Sequence, residues 1–230
     1  MLNMLDNRIG RALDVGCGSG AMLVTLSQRG YDTVGADISY AMVRKAKELA
    51  FKLRTPESLM CVADIEELPF KQESFDLVVC AGVIEYLDKD VTSLTELSRV
   101  LKPNGTVLIT VTNAVTPFWL LESALKVMGL WSAVVTSAKG GAQFPKARVH
   151  IPSALIRMAK KVDLIEVDRA YFHFTPLPSP LNLIFVNLCR RIGLGMEHLS
   201  KTSLGFIGRG CIMKFTKRTV KEDRPISVSS

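Results

Sequence analysis

The chain has 230 residues, 48% of them hydrophobic, which suits one globular domain with a full core and excludes a disordered chain. Its five cysteines (Cys17, Cys61, Cys80, Cys189 and Cys211) are odd in number, irregularly spaced and free of CxxC pairs, which excludes a disulfide framework or zinc site and points to a reducing cytoplasm. The net charge of +7 is unevenly placed: residues 1–138 hold 13 Lys/Arg against 16 Asp/Glu, whereas residues 139–221 hold 15 against 4.

RALDVG, residues 11–16, predicts a short buried strand, followed by the turn CGSG and a helix, AMLVTLSQRG, closed by Gly30. DTVGADI predicts a second strand, and SYAMVRKAKELAFKL an amphipathic helix with Ser39 as N-cap. SLMCVADI and FDLVVCAGVIEYL read as strands three and four, the latter ending in a loop. Residues 90–101 predict a helix that stops before Pro103-Asn-Gly, and TVLITVTN a fifth strand. Strands alternating with helices imply a parallel sheet covered on both faces. Beyond Asn113 come an apolar helix over 117–130, a Gly/Lys loop over 136–147 and a helix over 152–162 opened by Pro152. DLIEVDRAYFHF is a sixth strand, and His173 within it is expected to pack in the strand or line a pocket. After prolines 176, 178 and 180, LNLIFVNLCRRIGLG predicts a helix with Leu181, Ile184, Phe185, Leu188 and Ile192 on one stripe, and RGCIMKFTKR a final strand. The tail from Thr219 is expected to fray. No secretory signal precedes the first strand, and no apolar run approaches the roughly 20 residues that span a bilayer.

Four features recur at the carboxyl ends of successive strands, the edge where open parallel sheets bind ligands. Gly16, Gly18 and Gly20 let the backbone turn sharply and approach a ligand closely. Asp37, after strand two, can accept hydrogen bonds from both hydroxyls of a ribose. Asp64, after strand three, can accept from an adenine amino group, with Ile38 and Ile65 packing on the ring. Fourth are Ala81-Gly-Val-Ile-Glu-Tyr86 after strand four and the turn Leu101-Lys-Pro-Asn-Gly105.

Together these residues resemble the class I S-adenosylmethionine-dependent methyltransferases, and within them the type 11 group that includes the ubiquinone and menaquinone biosynthesis enzymes. LDVGCGSG matches the first motif of that group, and GADIS, the Ala63-Asp64 pair and LKPNG follow in its order; the likeness covers about residues 11–113. It implies a Rossmann-like, doubly wound, mostly parallel seven-stranded sheet with an antiparallel last strand and helical insertions in the C-terminal half. One domain is expected, with a cofactor half over 1–113, an acceptor half over 114–218 and a tail over 219–230. The cofactor implied is S-adenosyl-L-methionine, with Asp14, Gly16 and Gly18 near its methionine part, Gly20 completing the turn, Asp37 on ribose, Asp64 and Ile65 on adenine, and Ala81 under the sulfonium. A nicotinamide-binding Rossmann domain would also use glycines and a ribose acid, but here the third glycine comes one position early and Asp64 would have no role.

Methyl transfer needs a nucleophile held in line with the methyl group, and a base only where the acceptor must lose a proton. His150, in Arg148-Val-His-Ile-Pro, is the candidate base, because related enzymes carry a basic or aromatic residue in this acceptor-facing segment. Tyr86 stands where the group commonly has His, so it is expected to be a wall or a hydrogen-bond donor. Nucleic-acid methylation is not expected: the amino-methylating motif Asn/Asp-Pro-Pro-aromatic is absent after strand four, and Val79, not Pro, precedes Cys80. No metal site is expected, since Glu85 and Asn113 alone do not make one. Only ten residues precede the first strand, where related enzymes have a helical cap, so the apolar segments at 115–135 and 176–207 are expected to replace it. Phe118, Trp119, Leu120, Leu121, Leu125, Met128, Leu130 and Trp131, with the later stripe ending in Arg190-Arg191, favour helices packed on the domain and on each other. The alternative is a peripheral membrane contact with a lipid or polyprenyl-type acceptor. The expected activity is transfer to a small, largely apolar molecule; the alternative is a cofactor-binding module without turnover.

Overall fold

The computed structural model describes residues 1–5, 9–55, 59–117, 123–124, 147–174 and 186–218. The apolar residues named between 118 and 131, the Gly/Lys loop, the proline cluster, the start of the helix predicted over 181–195 and the tail all lie outside the described residues.

The elements are β1 (Arg11–Val15), α1 (Ala21–Gln28), β2 (Asp32–Asp37), α2 (Tyr40–Lys52), β3 (Leu59–Val62), β4 (Phe75–Ala81), α3 (Asp90–Val100), β5 (Leu101–Thr112), α4 (Pro152–Lys160), β6 (Leu164–Phe172), α5 (Val186–Met196) and β7 (Gly210–Lys217). Their starts and stops follow the local chemistry. The Ser39 side chain accepts from the Met42 amide at 3.4 Å and opens α2. Gly30, at φ +89°, turns the chain after α1, and Pro152 occupies the first turn of α4, where its missing N–H costs nothing.

The seven strands form one sheet in the order β3-β2-β1-β4-β5-β7-β6. β1 pairs in parallel with both β2 and β4, so the strand order reverses beside β1 and opens a crevice at the carboxyl edge. β7 runs antiparallel to β5 and to β6, as expected of the last strand.

Alternation along the strands separates two cores. Leu13, Val15, Val78, Cys80, Val107 and Ile109 face one way and meet Leu94 and Leu97 of α3 and Leu155 and Ala159 of α4. Ala12, Leu77, Val79 and Leu108 face the other way, toward Leu26 of α1 and Met4. Each fully buried leucine contributes about 2–3 kcal/mol of transfer free energy, so neither face is dispensable.

Before β1, Leu2–Met4 forms a 3-10 turn whose Met4 joins the second core, and Arg29 Nη1 donates to the Leu2 carbonyl at 3.1 Å. The structure departs from expectation in three places. α3 passes straight into β5, and the LKPNG segment lies inside that strand, where the register with β4 shifts and Asn104 takes φ +59°. His173 does not pack in β6; it is exposed at φ +60° just past the strand. Leu188 and Ile192, expected to pack on the domain, face outward at 52% and 41% exposure, because α5 rests on Cys189 and Gly193 instead.

Candidate active site

The glycine turn connects β1 to α1. Gly16, Gly18 and Gly20 all have positive φ, at +68°, +51° and +87°, which L side chains rarely adopt. Each glycine meets different surroundings. A Cβ on Gly16 would lie 2.2 Å from Val83 Cγ2, so β1 and the segment after β4 approach closely there. A Cβ on Gly20 would lie 2.9 Å from Ala46 Cβ, so this glycine lets α1 and α2 pack. A Cβ on Gly18 would meet nothing within 4 Å, which leaves that side of the backbone open to a ligand.

The turn is tied to Asp37. The Gly18 amide donates to Asp37 Oδ2 and the Ser39 amide to Oδ1, both at 2.8 Å. Each carboxylate oxygen thus spends one acceptor site on the backbone and keeps another for a ligand hydroxyl. Asp64 Oδ1 similarly accepts from the Glu66 amide at 2.9 Å. The loop that follows is pinned to α3 by an ion pair. Arg99 donates to the Phe70 and Leu68 carbonyls at 2.7 and 2.8 Å and to Glu96 Oε1 at 2.7 Å, while Glu96 Oε2 accepts from the Leu68 amide at 2.9 Å. Arg99 holds the Glu96 carboxyl below its ordinary range.

At the carboxyl ends of β1 to β4 lies a cavity of about 320 Å³. Its lining brings together Gly16, Asp37, Ile38, Asp64, Ile65 and Tyr86 from the sequence expectations. Ala81, Gly20, Gly18 and Asp14 are not part of the lining. At the end of β4 the lining residues are instead Gly82 and Val83, just beyond Ala81, joined by Leu87. Gly82 is fixed by its amide, which donates to Thr110 Oγ1 at 2.8 Å, and its φ of +68° is the signal that separates it from Ala81.

Asp14 sits beneath this turn at 3% exposure, and its Oδ2 is buried without a hydrogen-bond partner. Burial, and then the negative charge of Asp37, push its carboxyl up to about 7, against a hydrogen bond from the Leu23 backbone. A buried, unsatisfied carboxylate oxygen facing no cation is costly by itself and suits a site that receives positive charge. Burial also pushes the thiols of Cys17, Cys80 and Cys211 up to about 12, so none is a thiolate nucleophile near neutrality.

His150 lies outside the cavity lining, in a buried polar network behind Tyr86. Its Nε2 is 3.4 Å from Asp90 Oδ2, and its Nδ1 is buried without a partner. Asp90 also takes an ion pair from Arg148 Nη2, which donates further to the Ile84 carbonyl at 3.3 Å. The Arg148 amide donates to the Glu85 carbonyl at 2.7 Å, and Glu85 Oε2 accepts from the Thr112 amide and hydroxyl at 3.1 and 2.5 Å. The 3-10 turn Ile84–Tyr86, which presents Tyr86, is therefore braced from both sides. Asp90 was not singled out from the sequence; at the start of a helix it reads as a dipole partner, and its true partners are about sixty residues away. Asn113 is structural, its Nδ2 donating to the Phe206 and Gly208 carbonyls at 2.9 and 3.0 Å. Among the described residues no cluster of His, Cys, Asp and Glu could hold a metal ion.

A family model described as a methyltransferase domain matches residues 13–109. The chain is 30% identical over 179 residues to a ubiquinone biosynthesis O-methyltransferase of Idiomarina loihiensis, covering 76% of this chain and 70% of that protein. Among solved structures, a protein of Pyrococcus horikoshii OT3 superposes with a TM-score of 0.63 at 19% identity, covering 94% of this chain and 86% of that one. The magnesium protoporphyrin IX methyltransferase of Synechocystis PCC 6803, solved with bound S-adenosylhomocysteine, gives a TM-score of 0.60 at 16% identity, covering 93% and 76%. At these identities the structural matches establish the fold alone.

Proposed function

Since the chain belongs to the class I S-adenosylmethionine-dependent methyltransferases, we propose that it methylates a small, largely apolar acceptor held at the Tyr86 side of the cavity. The observation that carries this reading is Asp37, oriented by two backbone amides at the mouth of a cavity whose other polar wall is Asp64. The residues present fit the cofactor. Asp37 would accept from the ribose hydroxyls and Asp64 from the adenine amino group, with Ile38 and Ile65 against the ring. Gly16, Gly18 and the unsatisfied Asp14 carboxylate would receive the charged methionine part, and Ala81 with Gly82 and Val83 would border the reacting end. When bound, S-adenosylmethionine supplies an electrophilic methyl on a sulfonium. The protein's own task is then to place a nucleophile in line with it and to keep water out.

The apolar acceptor is supported by Val83 and Leu87 beside Tyr86 in the lining and by the name of the Idiomarina relative, which joins ubiquinone biosynthesis to O-methylation. A hydroxyl acceptor must shed a proton. With Nε2 donating to Asp90, 3.4 Å away, Nδ1 would carry the lone pair. His150 is proposed as the proton acceptor on that basis, with Tyr86 as a wall of the acceptor site.

Titration calorimetry of the full chain with S-adenosylmethionine is the first test. Binding by the wild type that is lost in Asp37→Ala is expected. Absence of binding by the wild type, or equal binding by the variant, overturns the site. Release of S-adenosylhomocysteine is then followed with prenylated and with water-soluble phenols. A preference for the soluble ones overturns the apolar acceptor without touching the cofactor site.

A further inference from the structure

We propose that α5 is a docking ridge for an anionic phospholipid bilayer. This inference concerns a surface away from the lining residues and does not depend on the identity of the acceptor.

α5 meets the domain through a narrow, small-residue edge. Cys189 is buried, and one turn on, Gly193 comes so close to the Phe174 carbonyl that a Cβ there would lie 2.2 Å from its oxygen. Among the described residues, nothing else covers the rest of the helix circumference. Val186, Leu188, Ile192 and Leu194 are 41 to 66% exposed, an unusual set of bulky apolar side chains for one eleven-residue helix. Leu188 and Ile192 are four residues apart and lie side by side, with Arg191 one turn from Leu188 and Arg190 one turn from both Val186 and Leu194. Both arginines are exposed, and among the described residues neither has an ion-pair partner. Glu197 is the one acid between residues 186 and 209.

The shape and the charge select the occupant. A protein partner for this face would need a groove matched to a convex ridge that is apolar on several sides. A bilayer needs no such match, since it yields to the ridge, takes the apolar side chains to the acyl boundary and leaves guanidinium heads at the phosphates. The positive excess of residues 139–221 places the same sign of charge on the half of the chain that carries this helix, and anionic headgroups complement it. Among the described residues no helix is long and apolar enough to cross a membrane, so the contact is peripheral.

Co-sedimentation of the full chain with phosphatidylglycerol-containing vesicles, with pure phosphatidylcholine vesicles and without lipid tests this. The wild type is expected to pellet with the anionic vesicles at low salt and to be released at high salt. Charge reversal in Arg190→Glu/Arg191→Glu is expected to weaken partitioning roughly thirtyfold or more. Leu188→Glu/Ile192→Glu is expected to abolish it. Both pairs are exposed, so calorimetric binding of S-adenosylmethionine is expected to be unchanged and serves as the folding control. No binding of the wild type to anionic vesicles, equal binding to neutral ones, or binding that both variants retain overturns the proposal. Sedimentation as a dimer that only Leu188→Glu/Ile192→Glu dissolves, without lipid binding, also overturns it and gives the face to a second copy of the chain.

Discussion

The two halves of this molecule are organised by different kinds of bond. In the cofactor half, the site is built from short-range contacts between carboxylates and backbone amides: Gly18 to Asp37 across 19 residues, Ser39 to Asp37 across 2, Glu66 to Asp64 across 2. Between residues 1–113 and the later chain, the braces are side chains reaching across the fold: Arg148 to Asp90 over 58 residues and Asn113 to Phe206 over 93. The first kind forms wherever the right strand–turn–helix unit forms. The second kind forms only once distant segments of the chain have met. Cofactor recognition and acceptor recognition are therefore expected to be separable properties, and substitutions should divide along the same line.

The largest effect is expected from Asp37→Ala. It removes two sites for ligand hydroxyls and releases the Gly18 and Ser39 amides that keep the turn in place. Two charge-assisted hydrogen bonds at about 1.5–3 kcal/mol each correspond to a loss of roughly 10² to 10⁴ in cofactor affinity. Calorimetry reads this directly. A change below tenfold would mean that the carboxylate is only a turn brace.

On the other side of the division stands His150→Gln. If the imidazole takes the acceptor's proton, kcat falls by roughly 10² to 10⁴ while cofactor affinity stays as it was. Asp90→Asn keeps the shape but gives up the charge that orients the ring and pairs with Arg148. It should lower kcat less and move the pH profile of turnover. A purely structural role for His150 predicts the opposite pattern: a lower melting temperature, with kcat and its pH profile retained in the folded fraction.

Asp14 adds a pH dependence that belongs to the cofactor half alone. Its carboxyl is pushed from 3.8 up to about 7 by burial and by Asp37, so between these values the folded chain holds a proton that the unfolded chain has lost. Stability contributed by this group is therefore full in acid, declines as pH rises from about 4 to about 7, and is flat above, with a slope of at most about 1.4 kcal/mol per pH unit. Asp14→Asn should remove that decline and leave the variant more thermostable than the wild type on the alkaline side. Parallel melting curves for the two proteins across this range would show that the carboxyl titrates normally.

How much of this could be read from the sequence follows from the same contrast. Sheet, order of elements and cofactor class were legible because glycines in a strand-to-helix turn and acids at strand ends are local requirements, written at fixed spacing. Even there, small displacements escaped. Gly20 carries the same residue signature as Gly16, yet its neighbour is Ala46 of α2, and Gly82 and Val83 line the cavity where Ala81 was expected. Both depend on how helices and strands approach, which one residue type cannot encode. For α5 the periodicity revealed an apolar stripe but not which side of the helix the domain would take. The small pair Cys189 and Gly193, four residues apart, was the available signal, since only small side chains permit the approach to Phe174. His150 was visible as a histidine, whereas its partner Asp90 was hidden among ordinary helix-start acids.

The smallest effect is expected within the cofactor half itself, at Arg99. This residue lies on α3 and holds the Leu68 and Phe70 carbonyls, so it fixes the loop that begins with Asp64 and Ile65 without touching the cavity. Its ion pair with Glu96 is partly exposed, at 34% and 15%, which limits its worth to about 1 kcal/mol. Arg99→Ala should therefore lower stability by that order and weaken cofactor binding by only a few fold, through a looser Asp64. Because Glu96 is held below its ordinary range by Arg99, the contribution is present near neutrality and is lost as pH falls through the carboxylate range. In the variant that acid-side loss disappears, so the difference in stability between the two proteins should vanish in acid while the Asp14-linked decline toward alkaline pH persists in both. Binding weakened as much as by Asp37→Ala would instead make this loop a principal part of the cofactor site, with α3 as its anchor.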